Sequence, residues 1–300
     1  MRTISQVLAD KVLEYLGYPS SLLRLVRARP DARVDIHELP ASIDLQDVPS
    51  WSKLVAPSGF HWAGNSIGEL SGWRYDGTRY LQGFTLHRPE YERLVDLEID
   101  EKFSCDIQQV HGFAASRSSH HKFSSMEEMA MAASPELISE ISRSALDNVL
   151  SGAALSPDSV ATNDDFFVRH SWHGRLYVIN GDGSHRFAAA KTIAGRLNIP
   201  VRLSAPLQTY RINAAAVESL ERDFEMFVIS DEPEFANEFH YAMERFKATY
   251  LWHMMPSPFE NSRAILLPRS DSRARRVATI LRGASFVDLG QYFRKFAQLK

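Results

Sequence analysis

Apolar residues fall at helical spacing over 4–16, where Ile4, Val7, Leu8, Val12, Leu13 and Leu16 form one face. The period then breaks. Pro30, Pro40, Pro49 and Pro57 punctuate residues 30–80, with Trp51, Trp62 and Trp73 between them, so loops with short strands over 33–38 and 79–87 are expected. Asp76-Gly77 predicts a tight hairpin turn between 73–75 and 79–81. Residues 112–125, rich in small and polar side chains, read as an exposed loop. Helical pattern returns over 126–133 and 135–150. Ser134 as cap and Pro135 at the first position mark the second start. Residues 151–164 read as a flexible connector.

Beyond the connector the alternation tightens. A strand over 175–179, a glycine-bearing turn, a helix over 187–197 and strands over 199–203 and 208–212 follow within about fifty residues. The tail predicts a strand at 224–229, a helix at 233–246, strands at 249–254 and 264–267, a helix at 270–282 and a strand at 286–289. That order, βαββαβ, fits a ferredoxin-like split unit. The chain therefore reads as α+β, with an N-terminal elaboration over 1–90, a core over 91–215 and a small α/β domain over 216–300.

Composition narrows the function. The 300 residues are 44% hydrophobic and 24% charged, ordinary for a globular protein. Lys and Arg number 34 against 37 Asp and Glu, a net charge of −3, which excludes a uniformly basic nucleic-acid coat but not a local basic patch. Cys105 is the only cysteine, so an internal disulfide and a cysteine-rich zinc finger are both excluded. No apolar run approaches membrane-helix length and the first residues lack an export signal, so no membrane partner and a cytoplasmic location are expected.

The segment with chemistry is Asn180-Gly181-Asp182-Gly183-Ser184-His185-Arg186, between a strand and a helix. Amides at a helix start lack partners within the helix, and the helix dipole adds positive charge there. A phosphate can accept those N–H groups while glycine lets it approach the backbone. Arg186 can pair with phosphate oxygens, His185 can donate a hydrogen bond or move a proton, and Asp182 can hold Mg²⁺ or act as a base. The alternative is a plain turn with Ser184 as cap and Arg186 solvated. Neither G-x-x-x-x-G-K-[ST] nor G-x-G-x-x-G occurs at this strand.

Strand, D-G-x-H-R, an alanine-rich helix and then Ile199-Pro200-Val201 resembles the core of the ParB/sulfiredoxin superfamily over about 40 residues. That group includes CTP-hydrolysing partition proteins, sulfiredoxins, free-serine kinases and ParB-like nucleases, which hold nucleotide phosphates on this turn. The resemblance implies that Gly181, Gly183, Ser184, His185 and Arg186 bind a nucleoside triphosphate such as ATP or CTP. His185, Arg186 and Asp182 would be catalytic, and Asp182 would serve the metal, Mg²⁺. Ser184 stands where sulfiredoxins have their cysteine, which argues against sulfinic-acid reduction. No helix-turn-helix of the partition proteins follows the core.

Other candidates have weaker patterns. Asp164-Asp165 offer carboxylates for Mg²⁺ within a polar connector. His170 and His173 have H-x-x-H spacing, but Gly174 favours a strand or turn over a helix presenting both to zinc. His111, Arg117, His120, His121 and Lys122 form a partly basic stretch suited to closing over a phosphate-bearing ligand. Arg269, Arg273 and Arg276 share a helical face, with Arg275 and Arg282 nearby, which suits DNA or RNA phosphates or a solvated surface. Cys105 reads as a buried structural thiol. The expected function is NTP hydrolysis or phosphoryl transfer. A nucleic-acid-binding regulator or nuclease, and a catalytically idle adaptor, are the alternatives.

Overall fold

The computed structural model describes residues 12–54, 68–77, 80–115, 120–151, 165–179 and 183–298. Residues 4–11 of the expected first helix, Trp62, Arg79, Arg117, the connector 152–164 with Asp164, and Asn180, Gly181 and Asp182 lie outside the described residues. The protein is mixed α+β and divides into two compact units. One comprises Met1–Glu38, Ser50–Val95 and Ile212–Lys300; the other comprises Leu39–Pro49 and Asp96–Arg211. The expected N-terminal elaboration and C-terminal domain thus fall largely in one unit.

In the first unit, α1 (Ser20–Ala28) precedes the hairpin β1 (Glu69–Tyr75) and β2 (Leu81–His87) and the short α2 (Pro89–Glu92). Tyr75 pairs with Leu81, so the hairpin loop is longer than the tight turn expected from Asp76-Gly77. No strand forms over 33–38. The C-terminal part of this unit contains α6 (Ala214–Asp223), β10 (Phe224–Ser230), α7 (Pro233–Phe246), β11 (Tyr250–Met254), β12 (Ser262–Pro268), α8 (Ser272–Gly283) and α9 (Leu289–Ala297). The sheet runs β10-β12-β11-β1-β2, antiparallel throughout. A split βαβ unit is visible in it, with β12 between β10 and β11.

The expected strand at 286–289 is reduced to a single bridge, Phe227 with Asp288. The reason is local: Asp288 Oδ1 accepts the Gln291 amide at 3.0 Å, which turns the chain straight into α9. Aromatic residues Phe235, Phe239 and Phe246 of α7 pack with Val277 and Leu281 of α8 against Phe227 and Ile265 of the sheet. Each such buried side chain contributes about 1.5–3 kcal/mol.

The second unit contains β3 (Val95–Asp100), β4 (Ser104–Asp106), β5 (Val110–Ala115), α3 (Met126–Ala133), α4 (Arg143–Ser151), β6 (Phe166–His170) and β7 (Leu176–Ile179). It continues with α5 (Ser184–Leu197), β8 (Arg202–Ser204) and β9 (Leu207–Ile212). Its five-stranded sheet runs β3-β9-β6-β7-β5, and β4 pairs with β8 separately. β5 and β7 are parallel, as are β6 and β9, whereas β6 and β7 are antiparallel. Phe187, Ala188, Ala190, Ile193 and Ala194 of α5 join Phe113, Phe167, Leu176 and Val178 in one core. The run of alanines favours helix and lets α5 lie close to its neighbours. α3 and α4 both pack on α5, so the helix following the chemistry-bearing turn is held firmly.

Two expectations fail here. The stretch 112–125 is an exposed loop only in part: its first residues form β5, where Phe113 is buried, and His120 and Phe123 are buried, whereas His121, Lys122, Ser124 and Ser125 are exposed. The helix over 135–150 divides into a 3₁₀ turn, Pro135–Ile138, and α4. Ser134 donates its amide to Ala130 O at 3.1 Å, closing α3, and Ser142 Oγ accepts the Ala145 amide near the start of α4.

Cys105 is buried on β4, where burial and then Asp106 push its thiol up to about 11. Reaction with a disulfide reagent at pH 8 should be at least tenfold slower than for a free thiol in native protein. It should reach the free-thiol rate in denaturant; rapid native labelling would contradict the burial.

Candidate functional site

Strand β7 ends at Ile179 and α5 opens at Ser184, with Gly183 as its N-cap. Gly183 has φ +101°, a left-handed conformation that only glycine adopts without strain. It has no side chain with which to cap the helix. By contrast, side-chain oxygens of Asn213, Glu232, Asp271 and Asp288 cap α6, α7, α8 and α9. The Phe187 amide makes the first intrahelical bond, to Gly183 O at 2.9 Å. The three amides before it, on Ser184, His185 and Arg186, are those that helix geometry leaves for an outside acceptor.

The side chains of this turn have separate fates. Ser184 is buried. Arg186 is exposed and has no ion-pair partner among the described residues. His185 is half-buried, and its Nδ1 is hydrogen-bonded to Ser134 Oγ. Gly181 and Asp182 lie outside the described residues. Asp165 is buried, and the antiparallel register Phe166↔Ile179 sets it at the sheet end where β7 leads toward α5. No group of three or more His, Cys, Asp or Glu side chains suited to a metal ion exists among the described residues.

His120 is buried next to this turn. Burial holds its imidazole below the usual range, and the charges of His185, His121 and Lys122 add to that against Asp44. His121 is held the other way, raised by its bond to Asp47, whose oxygens lie 2.9 Å from Nδ1. Thus His120 and His121, expected on an exposed loop, meet Asp44 and Asp47, and His120 also feels the charge of His185. Sequence reasoning missed both acids and Ser134, since their partners lie some 50 to 80 residues away.

The H-x-x-H pair is part of no group of three candidate ligands among the described residues. His170 ends β6 and stacks on Trp172, with centroids 4.6 Å apart, whereas His173 sits in the turn that follows. His173 Nδ1 lies 3.2 Å from Tyr177 Oη. Burial, then Arg175 and His111, push the His173 imidazole down to about 4. A folded value below the ordinary 6.5 means that folding favours the neutral ring. Its stabilisation is therefore complete above pH 6.5 and lost as pH falls toward 4. With solvent screening of a partly exposed ring allowed for, that loss is about 2 kcal/mol. Chemical denaturation between pH 4 and 7 should show it, flattened in His173→Gln. An unchanged profile in the variant would refute the assignment.

The arginines of the C-terminal region are tied to the protein. Arg269 precedes α8 and pairs with Glu225 at 2.7 Å. Arg273 donates to Phe246 O and Arg276 to Gly17 O. Arg282 pairs with Glu225 and Asp288. What the sequence presents as a basic stripe is largely a set of structural ties.

No helix among the described residues is long and apolar enough to cross a membrane. Neither the curated proteins nor the solved structures contain a match to this chain. A family model does match, over residues 100–300, from the last residue of β3 through α9 and including the whole β7–α5 connection. Because that match spans more than half of the chain, the protein belongs to DUF6685, a family of unknown function.

Proposed function

We propose that the protein binds the phosphates of a nucleoside triphosphate at the Gly183–Arg186 helix start and hydrolyses the nucleotide or transfers its phosphoryl group. One observation carries this reading: a rigidly packed helix opens on a left-handed glycine with no side-chain cap, beside an exposed arginine with no ion-pair partner among the described residues. A ParB/sulfiredoxin-like core over residues 91–215 is part of this proposal, with β7, paired in parallel with β5, leading into α5. The β10-β12-β11 order supports the ferredoxin-like reading of the C-terminal region.

In this proposal the amides of Ser184 to Arg186 take phosphate oxygens, and the Arg186 guanidinium grips them in a fork. His185 adds a hydrogen bond to the charge that develops during transfer. Such chemistry rests on positioning and charge stabilisation, without a covalent intermediate. Mg²⁺ is usually held by one or two carboxylates plus the phosphates themselves, so it would arrive with the nucleotide. Asp182 and Asp165 are the carboxylates proposed to meet it.

Calorimetric titration with ATP, CTP and GTP in the presence of Mg²⁺ tests the reading. At least one should give saturable heat with a micromolar to submillimolar dissociation constant. Absence of binding by all three would overturn it.

A further inference from the structure

Ser134 and His185 are 51 positions apart in sequence, yet Ser134 Oγ meets His185 Nδ1. Ser134 is only 1% exposed, so its hydroxyl is shielded from water. Its backbone groups are already used: the amide donates to Ala130 O at 3.1 Å and the carbonyl accepts from the Leu137 amide at 3.0 Å. Among the described residues, His185 Nδ1 is the acceptor within reach of the hydroxyl proton. A buried donor without an acceptor costs about 1–3 kcal/mol, whereas an oxygen with a spare lone pair is tolerated more easily. The hydroxyl therefore donates, and Nδ1 of the neutral ring carries no proton.

A neutral imidazole has one proton, and with Nδ1 accepting it resides on Nε2. We infer that Ser134 is the positioning residue that fixes His185 as an Nε2–H donor facing the anion at the α5 helix start. This inference rests on the phosphate-binding reading and deepens it: with its tautomer so fixed, His185 serves that site as a hydrogen-bond donor rather than as a proton-abstracting base. A ring held at Nδ1 by a buried hydroxyl also has a fixed orientation, so its donor is aimed before the ligand arrives. His120 lies close enough to feel the charge of His185. Its buried ring prefers neutrality.

Long-range ¹H–¹⁵N correlation spectra of nucleotide-free protein at pH 9, with His185→Gln for assignment, test the inference. The wild type should show a protonated Nε2 and an Nδ1 shifted as a hydrogen-bond acceptor. Ser134→Ala should lose that acceptor shift, and Ser134→Thr should restore it. In calorimetry, Ser134→Ala should weaken nucleotide binding about fivefold, with recovery in Ser134→Thr. A proton on Nδ1 in the wild type, or an Nδ1 signal indifferent to Ser134→Ala, would overturn the inference. The wild-type spectrum decides even if the alanine variant fails to fold. Because that spectrum needs no nucleotide, lack of binding would sink the parent reading alone, and tight binding with a protonated Nδ1 would sink this inference alone.

Discussion

Gly112→Ala should destabilise the protein by about 3 kcal/mol or more and deplete native protein in a denaturant titration. A Cβ at this position would lie 2.2 Å from Ile43 O, 2.7 Å from Ile43 C and 2.9 Å from Ile43 Cα. These are backbone atoms, which cannot swing aside as a long side chain does. The same segment accepts the Phe113 amide at Ile43 O, 2.7 Å away, and forms a bridge from Asp44 to Phe113. Making room therefore means breaking that bond and pulling two fully buried side chains, Ile43 and Phe113, out of register. A variant with wild-type midpoint and slope would show that the segment yields easily, contrary to this packing.

Arg186→Ala should lower nucleotide affinity roughly 30- to 150-fold, the equivalent of about 2–3 kcal/mol for a charge-assisted contact. Its melting temperature should stay within a degree or two of wild type, because the side chain is exposed and makes no ion pair among the described residues. Arg186→Lys should recover part of the loss, since an ammonium keeps the charge but not the fork. Calorimetry and thermal scans on the three proteins separate the outcomes. Equal affinity in wild type and Arg186→Ala would remove the guanidinium from the site, and a collapse in melting temperature would make the residue structural.

How much of this was legible in the sequence depends on the range over which each signal acts. Helix α7 at 233–246 was legible in full because its cap, its proline start and its apolar face are all local. The start of α5 was legible for the same reason, as Gly183 and the alanines carry their conformational preferences with them. β5 was misread because Gly112, Ala114 and Ala115 look like loop residues. They belong to a strand whose Gly112 is needed for the close approach of Ile43, 69 positions earlier. The pairing of β1 with β11, which joins the two ends of the chain in one unit, has no local signature. Ser134 looked like a helix cap, and only the fold shows that it closes α3 and holds His185. Arg273 and Arg276 lie on α8 as their spacing implies and Arg269 precedes it, but spacing does not show which carbonyls and carboxylates they meet.

A crystal structure of the wild type soaked with a nucleoside triphosphate and Mg²⁺ bears most directly on the whole proposal. It should show phosphate oxygens within hydrogen-bond reach of the Ser184–Arg186 amides, with the Arg186 fork closed on them and His185 Nε2 donating to one. Nucleotide bound elsewhere on the protein, or Arg186 turned to solvent while phosphate occupies another surface, would contradict it.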